Sequence, residues 1–346
     1  SSSYSGDDVS NYSVTSQSST TATIVKKALT ASASASNKTY NGNATATTSL
    51  TFSGLIGSET LAQSVSSTFN NKNEGTGKTV TVNSITLSDG SNGGLASNYT
   101  ISAGQTTTAN IAGKALTVSG ITAPNKTYDG NTNAPLDVSS ISYSGLVSGD
   151  DIGGSFSGTF ENKNIGTGKT VTISSSYSGV DSGNYSVTDQ SSTTANITTR
   201  ALTVSGLTAS NKTYDATTSA TLDTSSVSYA GLVSGDSFSG SYTGTFNDAN
   251  VGTSKLVTIS SSYSGNDINN YSITDQSSTG ADITKASPTI SGLSNQSKYS
   301  DENYTLAGVP SISGLSISYS SDDTNVANVD SSTGAVSILT TGTSTI

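Results

Sequence analysis

An all-β chain of tandem small sandwiches is the fold class that this sequence predicts, and three observations predict it. The same landmarks return at a step of about 86 residues. The stretches between them alternate apolar and small polar residues, without a helical period. Only 31% of residues are hydrophobic, yet Tyr, Val, Ile, Leu and Thr recur at fixed places, which a disordered chain has no reason to maintain.

Three landmarks set the repeat. Asn-Lys-Thr-Tyr ends at Tyr40, Tyr128 and Tyr214, an Asn-Tyr pair places Tyr12, Tyr99, Tyr185 and Tyr271, and Ala-Leu-Thr opens at Ala28, Ala115 and Ala201. Residues 1–26 read as the C-terminal part of a preceding repeat. Repeats follow over 27–113, 114–199 and 200–284, then a truncated module of different character over 285–346. The expectation is a segment of a longer polypeptide.

In the third repeat the strands are predicted at Ala201–Leu207, Val227–Leu232, Phe238–Phe246, Val257–Ile259, Tyr271–Ile273 and Ala281–Ile283. Turn signals separate them at Tyr214-Asp215-Ala216, Ser234-Gly235-Asp236 and Asn250-Val251-Gly252. Six or seven short strands in such a length predict an Ig-like, Greek-key β-sandwich. The junction Asn196–Val204 runs from a last strand into a first one with neither Gly nor Pro. Linkers that short limit bending, so the repeats are expected to form an elongated rod.

Composition removes whole classes of chemistry. Without Cys there are no disulfides or thiolate sites, and without His the commonest general base and transition-metal ligand are missing. No apolar run is long enough to span a bilayer. Every basic residue except Lys26 falls at a recurring place: the junctions (Lys27, Lys114, Arg200, Lys285), the turn before the tyrosine (Lys38, Lys126, Lys212, Lys298), or around the glycine turn (Lys72, Lys163, Lys78, Lys169, Lys255). Positive charge is thus part of the scaffold rather than a nucleic-acid stripe, and the net charge of −10 repels phosphate.

Gly166-Thr167-Gly168-Lys169-Thr170 resembles the end of a phosphate loop, but Lys163 stands where that loop needs its first glycine, and no helix follows. A serine nucleophile has no histidine base, so no enzyme activity is expected. A Lys–Asn isopeptide cross-link would draw on Lys126 or Lys169 with Asn184 and Asp129. The calcium candidates are Asp150, Asp151 and Asp236, beside the acidic pairs Asp7-Asp8 and Asp322-Asp323; calcium needs six to eight oxygens, and no dense acidic loop supplies them. No other cofactor is expected. The Asn-Tyr tyrosines read as core or corner residues rather than ligand platforms.

Two stretches carry a family resemblance. Asn125-Lys126-Thr127-Tyr128-Asp129-Gly130, Gly145-Leu146-Val147-Ser148-Gly149-Asp150, Phe160 to Lys169 and Asn184-Tyr185 resemble the YDG repeats of large bacterial exoproteins of the filamentous-haemagglutinin and adhesin type. The third repeat has Ala216 for the motif's glycine; the first has Asn41 for its aspartate and Glu59 in place of Asp150. Residues Ser320–Asp330, Ser332–Val336 and Gly342–Ile346 resemble a bacterial Ig-like (group 2) domain.

The resemblances imply a secreted or surface-displayed structural stalk, extracellular and without membrane insertion, that projects a distal binding region of a bacterial adhesin or biofilm-matrix filament. Two alternatives stand beside it: a self-assembling extracellular fibre or surface layer, and a multivalent glycan-binding array. The expected partners are neighbouring repeats, copies of the chain, and glycans or a cell surface engaged by regions outside this segment.

Overall fold

The computed structural model describes residues 3–15, 19–299, 301–312 and 314–346. Two compact units divide the chain, Ser1–Thr198 and Thr199–Ile346. Both are built from strands, with only single 3₁₀ turns among the described residues, and no described helix is long and apolar enough to cross a membrane.

The second repeat shows how the sequence folds. Lys114–Ser119 lies between Ser142–Ser144, antiparallel to it, and Tyr185–Thr188, parallel to it. A five-stranded sheet runs in the order Lys126–Thr127, Ser192–Thr198, Gly166–Ser178, Gly153–Phe160, Asn133–Ala134. Alternation dictates which faces are covered: Leu116 and Val118 are buried while Ala115, Thr117 and Ser119 are exposed, and Val171 and Ile173 alternate with exposed Thr170 and Thr172. Val118, Ile121 and Ile173 pack with Leu136, Tyr143, Phe156 and Val187 to close the core. The third repeat has the same three-stranded and five-stranded sheets. The first keeps the five-stranded sheet and pairs Thr30–Ala35 with Thr48–Ser53.

The strand expected at Val257–Ile259 is much longer, Gly252–Ser264. Its Ser, Thr and Gly flanks extend the ladder with Ser239–Phe246 through backbone bonds that need no apolar side chain. The phosphate-loop lookalike is a β-bulge: the register shifts between Gly166 and Lys169, with Gly168 at φ +60° and its N–H donating to Asn196 Oδ1 at 2.8 Å.

Three of the four Asn-Tyr tyrosines, Tyr99, Tyr185 and Tyr271, are corner residues, as expected; Tyr12 is not. Tyr185 is buried; its hydroxyl accepts from Val147 N at 3.0 Å and donates to Asp150 at 2.6 Å. Tyr271 repeats this with Val233 N and Asp236, and Tyr99 with Ile56 N and Glu59. Tyr12 is exposed.

One edge of each large sheet is only partly covered. Gly153–Phe160 pairs along its length with Gly166–Ser178, but on its outer side only Gly158 and Thr159 face Asn133–Ala134. Phe160 N donates outward to Thr132 O, so by antiparallel alternation Gly154 and Phe156 turn their backbone groups to the same side, beyond the end of that short strand. Residues 285–346 form two small sheets, Ile290–Ser291 with Val309–Pro310, and Tyr304–Thr305, Ala335–Ile338 and Ala327–Val329.

Candidate functional site: a clasp between the first two repeats

The first two repeats meet directly in the first unit. Thr106–Ala112 ends one and Lys114–Ser119 begins the next, with only Gly113 between. Tyr40, the landmark tyrosine after Lys38–Thr39, is anchored by its N–H to Ala112 O at 2.8 Å. Its ring is 1% exposed and packs with Phe69, Val80 and Ile111 of its own repeat and with Leu116 and Tyr185 of the next. The two tyrosine rings meet edge-on at 5.5 Å between centroids. Gly42 lies so close to Val147 that a β-carbon there would stand 2.8 Å from Cγ1.

Charge is arranged around this apolar contact. Tyr40 donates its hydroxyl to Asp150 Oδ2 at 2.8 Å. Lys72, in the turn after Phe69, places Nζ 2.8 Å from Asp181 Oδ1 and 3.3 Å from Asp150 Oδ1. The Glu74 N–H donates to Asn184 Oδ1 at 2.8 Å, and the Asp151 N–H to Asp181 Oδ2 at 3.1 Å. The Asp150 side chain is 4% exposed and that of Asp181 8%, whereas Lys72 keeps 38%. The carboxylates are therefore buried with donors on them, the condition under which a buried charge is tolerated.

The proton affinities follow. Burial pushes the Asp150 carboxyl up, but hydrogen bonds from Tyr185, Tyr40 and Lys72 outweigh it and hold it below the usual range. Asp181 is held low chiefly by Lys72, then by the Asp151 N–H. Lys72 is raised, mostly through Asp181. Tyr185 is pushed up to about 12 by burial and by Asp150.

The residues singled out in the sequence are distributed as follows. Asp150 belongs to the clasp. Asp151 has an exposed side chain and contributes its backbone. Asp236 receives the Tyr271 hydroxyl at 2.5 Å. Among the described residues no three acidic side chains lie together in a way that would hold a metal ion. Lys126 Nζ rests on Asp129 at 2.8 Å, on Asn131 and on Asn133 O, 5.5 Å from the Phe160 ring centroid. Lys169 meets Asn162 Oδ1 at 2.8 Å. These lysine partners do not include Asn184, whose amide lies in the clasp.

Sequence reasoning missed Tyr40, Lys72 and Asp181. The signal was a mismatch between repeats. Lysine stands at positions 72 and 163 but Ala249 takes that place in the third repeat, and aspartate stands at 181 and 267 but Leu95 takes it in the first. Tyr214, the third landmark tyrosine, is 37% exposed.

Comparison with known proteins adds a family. No curated protein matches the sequence. Among solved structures, the chain is similar to protocadherin gamma B2 extracellular cadherin domains 3–6, with 11% identity, 90% of this chain and 91% of that one covered, and a TM-score of 0.24. It is also similar to Drosophila N-cadherin EC1–4, with 11% identity, 82% and 76% covered, and a TM-score of 0.20. Overlaps this slight carry no inference about the chain. The family profile of the YDG domain matches residues 25–109, 112–195 and 198–280, most of the sequence. The chain, with its Tyr128-Asp129-Gly130 motif and its two departures from it, belongs to the YDG-domain family.

Proposed function

We propose that this chain is a structural stalk segment of a long secreted or cell-surface bacterial adhesin or matrix filament, non-enzymatic, holding a distal binding region away from its anchor. The observation that carries the reading is the clasp. A junction of one residue, a buried tyrosine and two buried carboxylates held by a lysine is the kind of joint that resists swivelling, and resistance to swivelling is what a spacer requires. Small-angle scattering and electron microscopy of residues 1–346 test it. The expected particle is extended, with a fixed angle between the first two repeats that widens into a distribution when Lys72→Ala and Asp150→Asn are combined. A wild-type chain that already swivels freely there overturns it.

A second reading, self-assembly into an extracellular fibre, is favoured by the partly covered edge at Gly153–Ser157, whose Gly, Ser and Phe residues bear no charge to keep another strand away. Sedimentation across a concentration series separates the two: the stalk stays monomeric, the fibre grows.

A further inference from the structure

The first repeat contains a half-buried lysine that lacks its counter-charge, and the residue at the counter-charge position is an asparagine followed by glycine. In the second repeat Lys126 Nζ is neutralised by Asp129 Oδ1 at 2.8 Å, and in the third Lys212 by Asp215 Oδ1 at 2.7 Å. In the first, Lys38 meets only neutral oxygens: Asn43 O at 2.8 Å, Asn43 Oδ1 at 3.1 Å and Thr45 O at 3.0 Å. Burial without an anion lowers its proton affinity. The equivalent of Asp129 and Asp215 is Asn41, and Asn41-Gly42 is one of two Asn-Gly pairs in the chain, the other being Asn92-Gly93.

We propose that Asn41 is a self-modification site, at which spontaneous deamidation converts the first repeat's Tyr-Asn-Gly into Tyr-Asp-Gly and supplies the carboxylate that Lys38 lacks. The local geometry fits each step. Asn41 is exposed, and no backbone bond engages the Gly42 N–H. The Asn43 N–H points at Asn41 Oδ1, 3.4 Å away, where it polarises the amide and faces the oxyanion as it forms. Gly42 N, losing its proton to water, bonds to Asn41 Cγ; the Cγ–Nδ2 bond breaks and ammonia leaves, giving a cyclic imide. Water then adds at Cγ, the Gly42 amide is restored, and residue 41 ends as a carboxylate. The balance is one water in and one ammonia out, with no other reactant.

The fold also selects the product. Opening at Cγ regenerates the ordinary backbone and sets an oxygen where Asp129 Oδ1 meets Lys126. Opening at the backbone carbonyl would insert a methylene beside Gly42, which sits at φ +82° under Val147 with no space to spare. Asn92 is the internal comparison: its Nδ2 is tied to Ser58 O at 3.0 Å.

The test is to incubate the full chain at mildly alkaline pH and map its peptides by mass spectrometry. Residue 41 is expected to gain the mass difference of NH to O before residue 92 does, its peptide eluting with that of the N41D protein. Hydrogen exchange over residues 38–46 is expected to slow in the aged protein and in N41D, and the gain to vanish in N41D combined with Lys38→Met. Conversion of Asn92 ahead of Asn41, an isoaspartyl product in the majority, or an exchange gain in N41D that survives loss of Lys38 each overturn the proposal.

Discussion

Tyr40 does two jobs in one side chain: its ring closes an apolar contact between repeats and its hydroxyl caps a buried carboxylate. The two are separable. Tyr40→Phe keeps the ring and removes one donor from Asp150, which still has Tyr185 and Lys72, so a loss of about 1 kcal/mol is expected. Tyr40→Ala also opens a cavity, and about 3–5 kcal/mol is expected; urea denaturation of the two variants measures the difference. The charges define a pH window. Asp150 and Asp181 are depressed in the folded state, so their contribution is present above the unfolded value of about 4 and is lost as pH falls through the folded one. Lys72 is raised, so its contribution is complete below about 10 and is lost only as pH rises through its folded value. Exchange at the Glu74 amide, which donates to Asn184, is therefore expected to show constant protection, after correction for intrinsic rates, across the neutral range and to lose protection in strong acid. At this scale the sequence was only half legible. The recurrence of the lysines reads as scaffold because most positions agree, and two of the clasp's residues lie at positions that disagree between repeats: Ala249 against Lys72, Leu95 against Asp181.

Strands and turns were the most legible elements. Alternation placed six of the third repeat's strands and missed the two-residue strands Thr208–Ala209, Lys212–Thr213, Ser219–Ala220 and Leu222–Asp223, which are too short to show a period. The long strand Gly252–Ser264 was not legible at its ends, where Ser and Thr pair as well in a ladder as they sit in a loop. The third repeat departs from its neighbours at two turn positions, and the backbone shows the cost. Ala216 sits at φ 63° and Ser254 at φ 48°, where the second repeat has Gly130 and Gly168. Side chains other than glycine are strained there. Ala216→Gly and Ser254→Gly are each expected to stabilise the third repeat by about 1 kcal/mol, read as a rise in its thermal midpoint.

At the scale of the molecule, the clasp joins unlike surfaces. Tyr40 and Lys72 are offered by one repeat, Asp150 and Asp181 by the next, so the contact is head-to-tail and cannot close on itself. Both sets of residue types lie within one period, since the second repeat has Lys163 as well as Asp150 and Asp181. Removal of residues 114–199 is therefore expected to leave a folded chain in which Lys72 faces a repeat with Asp236 and Asp267, and Lys72→Ala is expected to widen its scattering-derived bend distribution as it does in the parent. Removal of 200–284 instead sets Lys163 before a module without that acidic pair, and Lys163→Ala is expected to leave the bend at that new junction unchanged. A gene built this way can lengthen or shorten by unequal crossing-over. An exchange that adds or removes a copy of the second repeat transmits donor and acceptor together, so descendants of different length inherit working joints without a second mutation.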